Sequence, residues 1–182
     1  MAIDPEVLRA ARAQWHWRGQ ARPSFAHAPA EGQESVWDFP RPPALRSVPE
    51  RLRVMRGDVV IAETTAGYCA CETAHPPTYY FPPDDVNHAH LKKVGGGSFC
   101  EWKGQASYWD VLGGDPLPRA AWCYPAPFEE WAPIAGYIAF MPTDLQCFVG
   151  DEQARPQPGG FYGGWITSAY AGPFKGEPGI SG

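Results

Sequence analysis

Apolar and polar positions alternate with a period of two along most of this chain and are cut into short runs, which is the pattern of half-buried strands. Residues 51–56 and 59–63 flank Gly57-Asp58, a two-residue hairpin turn between β-prone runs. A third strand is expected at residues 68–72, with Tyr68, Ala70 and Glu72 on one face and Cys69 and Cys71 toward the core. His75-Pro76-Pro77 ends it, because the two prolines lack the N–H that a strand ladder needs. Residues 79–81 then form a short strand closed by Pro82-Pro83. Residues 84–97, with His88, His90, Lys92, Lys93 and three successive glycines, read as an exposed loop. Strands follow at 99–103 and 105–112, paired or bent about Gly104, and at 119–124. One or two helical turns are expected at 128–134, and strands at 137–141 and 145–149 would close a last hairpin through Pro142-Thr-Asp.

A helical period occurs near the start. Asp4 can cap the first free N–H groups, Pro5 suits the first helical position, and Ile3, Val7, Leu8, Ala11 and Trp15 lie on one side. That stripe suits docking on the β body or on a partner subunit, and the second alternative would make the protein a homodimer. Residues 18–49 are interrupted by glycine and proline and anchored by Val36, Trp37 and Phe39, with 20–33 best suited to disorder. From residue 155 onward the chain is again rich in glycine and proline, yet Phe161, Tyr162, Trp165, Tyr170 and Phe174 would pin it as an irregular ordered segment. The fold class is therefore mainly β. A short helix and Pro/Gly-rich arm over 1–35 precede a single compact antiparallel β domain over 36–182.

Composition sharpens this picture. A chain of 182 residues, 44% hydrophobic, suits one domain with one core, and 21 prolines and 20 glycines argue against a helical bundle. A net charge of -5 offers no basic footprint for nucleic acid, and no apolar run approaches the roughly 20 residues needed to span a bilayer. A soluble, cytoplasmic protein with a small-molecule ligand is expected, with neither nucleic acid nor membrane as partner. Five cysteines without the even spacing of a disulfide framework point to reduced thiols.

Candidate chemistry gathers between residues 72 and 110. Glu72 and His75, three residues apart across a strand end, could form an acid/base pair in which the carboxylate orients the imidazole. Lys103 and Tyr108 could stabilise a developing negative charge, and Tyr79, Tyr80, Trp102, Trp109 and Trp122 could wall an aromatic pocket. The same aromatic residues would also suit a module that binds a planar or cationic ligand without reaction. Cys69, Cys71, Cys100 and Cys123 with His75 are the only candidates for a metal set. A Cys pair two apart within a strand is poorly placed to share one ion, so no metal and no cofactor is expected.

Glu72-Thr-Ala-His-Pro-Pro-Thr-Tyr-Tyr-Phe-Pro-Pro83, Cys100-Glu-Trp-Lys-Gly-Gln-Ala-Ser-Tyr-Trp-Asp110 and Trp122-Cys-Tyr-Pro125 together resemble the bacterial and fungal family known as domain of unknown function 427. Ile134-Ala-Gly-Tyr-Ile-Ala-Phe140 and Phe161-Tyr-Gly-Gly-Trp165 extend the resemblance, which runs over residues 36–182. It implies a compact, mainly antiparallel β domain, akin to β-tent folds in which two sheets lean together. The family is sometimes labelled nucleotidyltransferase-like, whereas this chain has neither a phosphate-cradling Gly-x-x-x-x-Gly-Lys loop nor a Gly-Ser pair followed by Asp-x-Asp. The expected function is a cofactor-independent enzyme of the isomerase, cyclase or lyase kind. The binding module is the alternative, and nucleotidyl transfer comes third.

Overall fold

The computed structural model describes residues 3–180. Helix α1 (Pro5–Ala13) begins where the Asp4 carboxylate accepts the Glu6 N–H at 2.8 Å, with Pro5 in its first turn. No side chain of α1 is fully buried. Its C-terminal end is tied to the β body, because Arg12 Nε donates to the Glu101 carbonyl at 2.7 Å and Trp15 Nε1 donates to the Glu101 carboxylate at 3.0 Å.

The longer strands are β1 (Ala44–Val48), β2 (Leu52–Arg56), β3 (Val59–Thr64), β4 (Gly67–Cys71), β5 (Thr78–Tyr80), β6 (Leu91–Cys100), β7 (Gly104–Val111), β8 (Leu117–Cys123), β9 (Ile138–Phe140) and β10 (Gln146–Val149). They form three antiparallel sheets in the orders β1-β4-β5, β10-β2-β3 and β9-β8-β7-β6, with Glu152–Gln153 adding an edge pair beside β10. An antiparallel bridge between Phe81 and Ile138 joins the end of the first sheet to the third. Glu34–Ser35 pairs in parallel with Tyr170–Ala171, so the arm and the C-terminal segment close against each other. The fold is mainly β with one short N-terminal α-helix, as its sequence predicts.

The strand expected at 99–103 ends at Cys100, and residues 101–103 form the turn into β7 at Gly104. Three further local expectations differ. The expected loop at 84–97 is two short 3-10 turns followed by β6, which pairs with β7 from Leu91 opposite Val111 to Cys100 opposite Gly104. Its lysines and glycines look loop-like because most of β6 is exposed, and a register shift between Val94 and Ser98 accommodates the glycines. The expected hairpin over 137–149 does not form. β9 pairs with β8 through Ala139 opposite Trp122, while β10 pairs with β2 through Cys147 opposite Val54, so the Pro142 turn carries the chain between sheets. Residues 20–33 are not a free arm: the His27 N–H donates to the Gly172 carbonyl at 2.9 Å and Gln33 Nε2 donates to the Ser168 carbonyl at 2.7 Å. This polar stretch finds in the C-terminal segment the partners it cannot supply itself.

Period two divides the interior. The larger core holds Trp37, Leu52, Val54, Ile61, Cys69, Cys71, Tyr79, Phe81, Phe140 and Trp165. A second cluster holds Ala70, Tyr80, Ala106, Trp122, Tyr124, Trp131, Ile134 and Ala139. Neighbours in sequence therefore face opposite ways: Cys69 and Cys71 against Ala70, Tyr79 against Tyr80, Phe140 against Ala139. A cavity lined by Tyr80, Trp122 and Tyr124 opens on the second cluster.

Candidate functional site

Four buried polar side chains, Arg41, Thr73, Lys103 and Gln157, surround one region, where most of the interior is apolar. The turn after β4 explains why. The His75 N–H donates to the Glu72 carbonyl at 3.0 Å, and Ala74 sits between them at a φ of 71°, a left-handed conformation unusual for a residue with a Cβ. Backbone bonds hold Ala74 on both sides: its N–H donates to the Val36 carbonyl at 3.0 Å, and its carbonyl accepts from the Lys175 N–H at 2.8 Å. This tight turn brings both Glu72 and His75 to the wall of a cavity of about 420 Å³. Lys103 reaches the same cavity from the β6–β7 turn, Tyr80 from β5, Tyr108 from β7 and Trp122 from β8, where Tyr108 and Trp122 are cross-strand partners.

The expected site residues thus divide. Glu72, His75, Lys103, Tyr108, Tyr80, Trp102 and Trp122 all line the cavity. Tyr79 and Trp109 do not, since each lies one residue from a cavity-lining neighbour and so points to the other face of its strand. Tyr79 packs on Trp165 with ring centroids 4.9 Å apart, and Trp109 packs against the larger core. A more open depression of about 590 Å³ between the Pro142 turn and residues 153–156 holds no buried charged group, so the smaller cavity is the candidate site.

The expected orientation of His75 by Glu72 is not the one found. The Glu72 carboxylate accepts from Arg41 Nε at 3.0 Å, and the fully buried Arg41 also donates to the Trp17 and Thr73 carbonyls at 3.0 and 2.9 Å. Gln157 orients the imidazole instead. Its amide nitrogen donates to the Lys175 carbonyl at 2.9 Å, which fixes the amide, and the same nitrogen lies 2.9 Å from His75 Nδ1. The second amide hydrogen therefore goes to Nδ1, and the neutral ring carries its proton on Nε2. Tyr162 meets the imidazole edge to face at 4.9 Å.

Electrostatics follows from these contacts. Burial dominates at His75 and, against the opposing pull of Glu72 and with Lys175, Arg41 and Lys103 acting in the same direction as burial, lowers its pKa to about 4. Burial alone would raise the pKa of Glu72, but His75, Lys103 and Arg41 together hold it below the usual carboxylate range. Burial opposes the Lys103 ammonium, but the net direction is upward, and near neutral pH the ionised groups that favour its charge are the carboxylates of Glu72 and Glu101. Its Nζ sits 4.8 Å from the Trp131 ring centroid. Burial pushes Tyr80 up to about 12, leaving a neutral hydroxyl. Tyr108 shares a hydrogen bond of 2.7 Å with Ser98.

Sequence reading missed Arg41, Gln157, Tyr162, Lys175 and Trp15. Trp15 stands between two cations, with Arg41 Cζ 4.2 Å and Lys175 Nζ 3.9 Å from its ring centroid. Tyr162 lies within the Phe161-Tyr-Gly-Gly-Trp165 motif, whereas Gln157 and Lys175 carry no local signal. Cys69 and Cys71, 3.8 Å apart at sulfur, belong to the larger core, and Cys100 alone of the cysteines lines the cavity. Among the described residues no group of three His, Cys, Asp or Glu side chains gathers to hold a metal ion.

No curated protein matches the chain. The sequence model of the family described as Domain of unknown function (DUF427) matches residues 44–151, which contain Glu72, His75, Tyr80, Trp102, Lys103, Tyr108 and Trp122. The chain belongs to the DUF427 family.

Proposed function

We propose that the protein is a cofactor-independent enzyme that moves protons on a small molecule, of the isomerase, cyclase or lyase kind. The observation that carries this reading is the convergence of Glu72, His75, Lys103 and Tyr108 on one aromatic-walled cavity. Arg41 occupies one oxygen of Glu72, and His75, Lys103 and Arg41 together favour the ionised carboxylate, leaving Oε2 without a hydrogen-bond partner among the described residues. That oxygen is the proton acceptor. A carboxylate with a lowered pKa is a weak base, so the substrate proton must be acidified, and the Lys103 ammonium supplies this by stabilising charge on an adjacent carbonyl oxygen. His75 acts as a neutral Nε2–H donor, with Gln157 holding its tautomer. Tyr108 completes the donor set, its hydroxyl accepting from Ser98 so that its own proton is free for the substrate.

The test is solvent isotope exchange. Small carbonyl and carboxylate compounds are incubated with the protein in D₂O, and loss of C–H signal is followed by proton NMR. Protein-dependent exchange is expected, falling by about 100-fold or more in Glu72→Gln and in Lys103→Met at unchanged secondary structure. Exchange that survives Glu72→Gln removes the assigned base.

One observation favours a binding module instead: His75 and Glu72 both hold pKa values well below neutrality, so neither is poised to change state near pH 7. Under that reading Trp122→Ala abolishes ligand binding, Glu72→Gln spares it, and no bound compound exchanges or turns over. A Mg²⁺-nucleotide that raises the melting temperature would favour nucleotidyl transfer over both.

A further inference from the structure

Buried hydrogen-bond donors in folded proteins are nearly always paired, so the exceptions need an explanation. Among the described residues, three polar side-chain atoms are buried without a partner, and two of them, Tyr80 Oη and Trp102 Nε1, belong to residues that line this cavity. Lys103, 7% exposed, is a third unpartnered donor. Its ammonium makes no hydrogen bond and no ion pair within 4.0 Å among the described residues, and its Nζ lies 4.8 Å from the Trp131 ring centroid. Lys175 at the cavity wall is likewise unpaired, and burial and the nearby Arg41 lower its pKa.

The charges do not cancel within the protein. Arg41 neutralises Glu72 directly, and the Glu101 carboxylate accepts from Trp15. Lys103 is left with no contacting anion, on a cavity wall to which Tyr80 and Trp102, each with an unpartnered polar atom, also belong. We infer that the cavity binds a small organic monocarboxylate, whose anionic group is received by Lys103, Tyr80 and Trp102 while its unsaturated or aromatic body lies against Trp122 and Tyr108. A phosphate ester fits less well. Phosphate sites gather arginine forks, backbone N–H nests or helix N-termini, and the cavity wall includes no arginine. A volume of about 420 Å³ suits a compound with one or two rings. This inference rests on the acid/base reading and names its substrate class: a carboxylate on Lys103 is the group beside which an α proton becomes removable by Glu72.

The experiment compares matched acids and amides on the full chain at pH 7 by calorimetric titration: benzoate with benzamide, phenylacetate with phenylacetamide, indole-3-carboxylate with its amide. In at least one pair the acid is expected to bind about tenfold or more tightly than the amide. Lys103→Met should erase that preference, whereas Lys103→Arg should keep part of it. Trp102→Phe, which removes only the N–H, should reduce it severalfold even if Lys103→Met fails to fold. No acid preference in any pair, a preference that survives Lys103→Met or Trp102→Phe unchanged, or tenfold tighter binding of phenyl phosphate than of benzoate would each overturn the inference. The two readings fail separately. Carboxylate preference without isotope exchange sinks the acid/base chemistry alone, and exchange confined to neutral or cationic compounds sinks the carboxylate class alone.

Discussion

His75 is a histidine kept neutral by its surroundings, and that state has a cost that shifts with pH. Its folded pKa of about 4 lies below the unfolded value of about 6.5, so between these limits the unfolded chain binds more protons and stability falls as pH falls. By pH 4 the loss from this one residue approaches, at most, about 3 kcal/mol. Glu72, with its folded pKa lowered, adds a further loss as pH drops through its own folded value, in the same direction. The wild-type melting temperature should therefore fall more steeply between pH 6.5 and pH 4 than that of His75→Gln. Parallel curves would show that the imidazole does not carry this penalty. Gly163 is critical for a different reason. A Cβ there would overlap the Trp122 ring on the cavity wall. Gly163→Ala should displace that ring at a cost of about 1–3 kcal/mol and weaken ligand binding. A variant with wild-type melting temperature and wild-type affinity would contradict the close approach.

Among elements, α1 behaves as a strap whose value lies in the residue just beyond it. None of its own side chains is fully buried, yet Trp15 stands at the cavity wall with Glu101 and Lys175 and packs its ring against Arg41 behind it. Two cation–π contacts at about 0.5–1 kcal/mol each and one hydrogen bond of about 1 kcal/mol hold it. Trp15→Ala should thus lower stability only modestly while exposing the cavity. Acrylamide quenching of the remaining tryptophan fluorescence should rise, and quenching at the wild-type level would show that Trp15 does not cover the site. The elements that sequence exposes best are those whose signals are local. The Asp4-Pro5 cap and the Gly57-Asp58 hairpin are legible because a few adjacent residues determine them. β6 is not, since an exposed strand with Gly95, Gly96 and Gly97 owes its form to the ladder with β7. The choice of partners for β9 and β10 is also invisible locally: Ile138 and Cys147 both face the larger core while belonging to different sheets.

At the scale of the molecule the site is a joint between distant parts of the chain. Glu72, His75, Lys103 and Tyr108 were legible because titratable and aromatic residues crowd one stretch. Their supporting partners were not: Gln157 lies 82 residues from the His75 it orients, and Arg41 lies 31 residues from Glu72. Tyr79 and Trp109 show the opposite problem, since composition recruits them and strand alternation sends them away. The family match over 44–151 leaves out much of what completes this arrangement. Val36, Trp37, Phe39, Trp165, Ile166 and Phe174 all lie outside it and are all buried in the larger core. Trp37 and Trp165 are wholly buried, with indole N–H groups donating to the Pro173 and Phe140 carbonyls at 2.9 and 3.1 Å. Removing one buried aromatic side chain typically costs about 3–5 kcal/mol, against a total of about 5–15 kcal/mol for a domain. Loss of two tryptophans and two phenylalanines together exceeds what the remaining sheets can sustain. A fragment spanning 44–151 should therefore lack a cooperative thermal transition and near-ultraviolet circular dichroism, whereas one spanning 34–180 should retain both and still bind a carboxylate. A cooperative transition in the shorter fragment would show that the three sheets hold a sufficient core by themselves. The arm and C-terminal segment would then serve only to finish the site, through Arg41, Gln157 and Lys175.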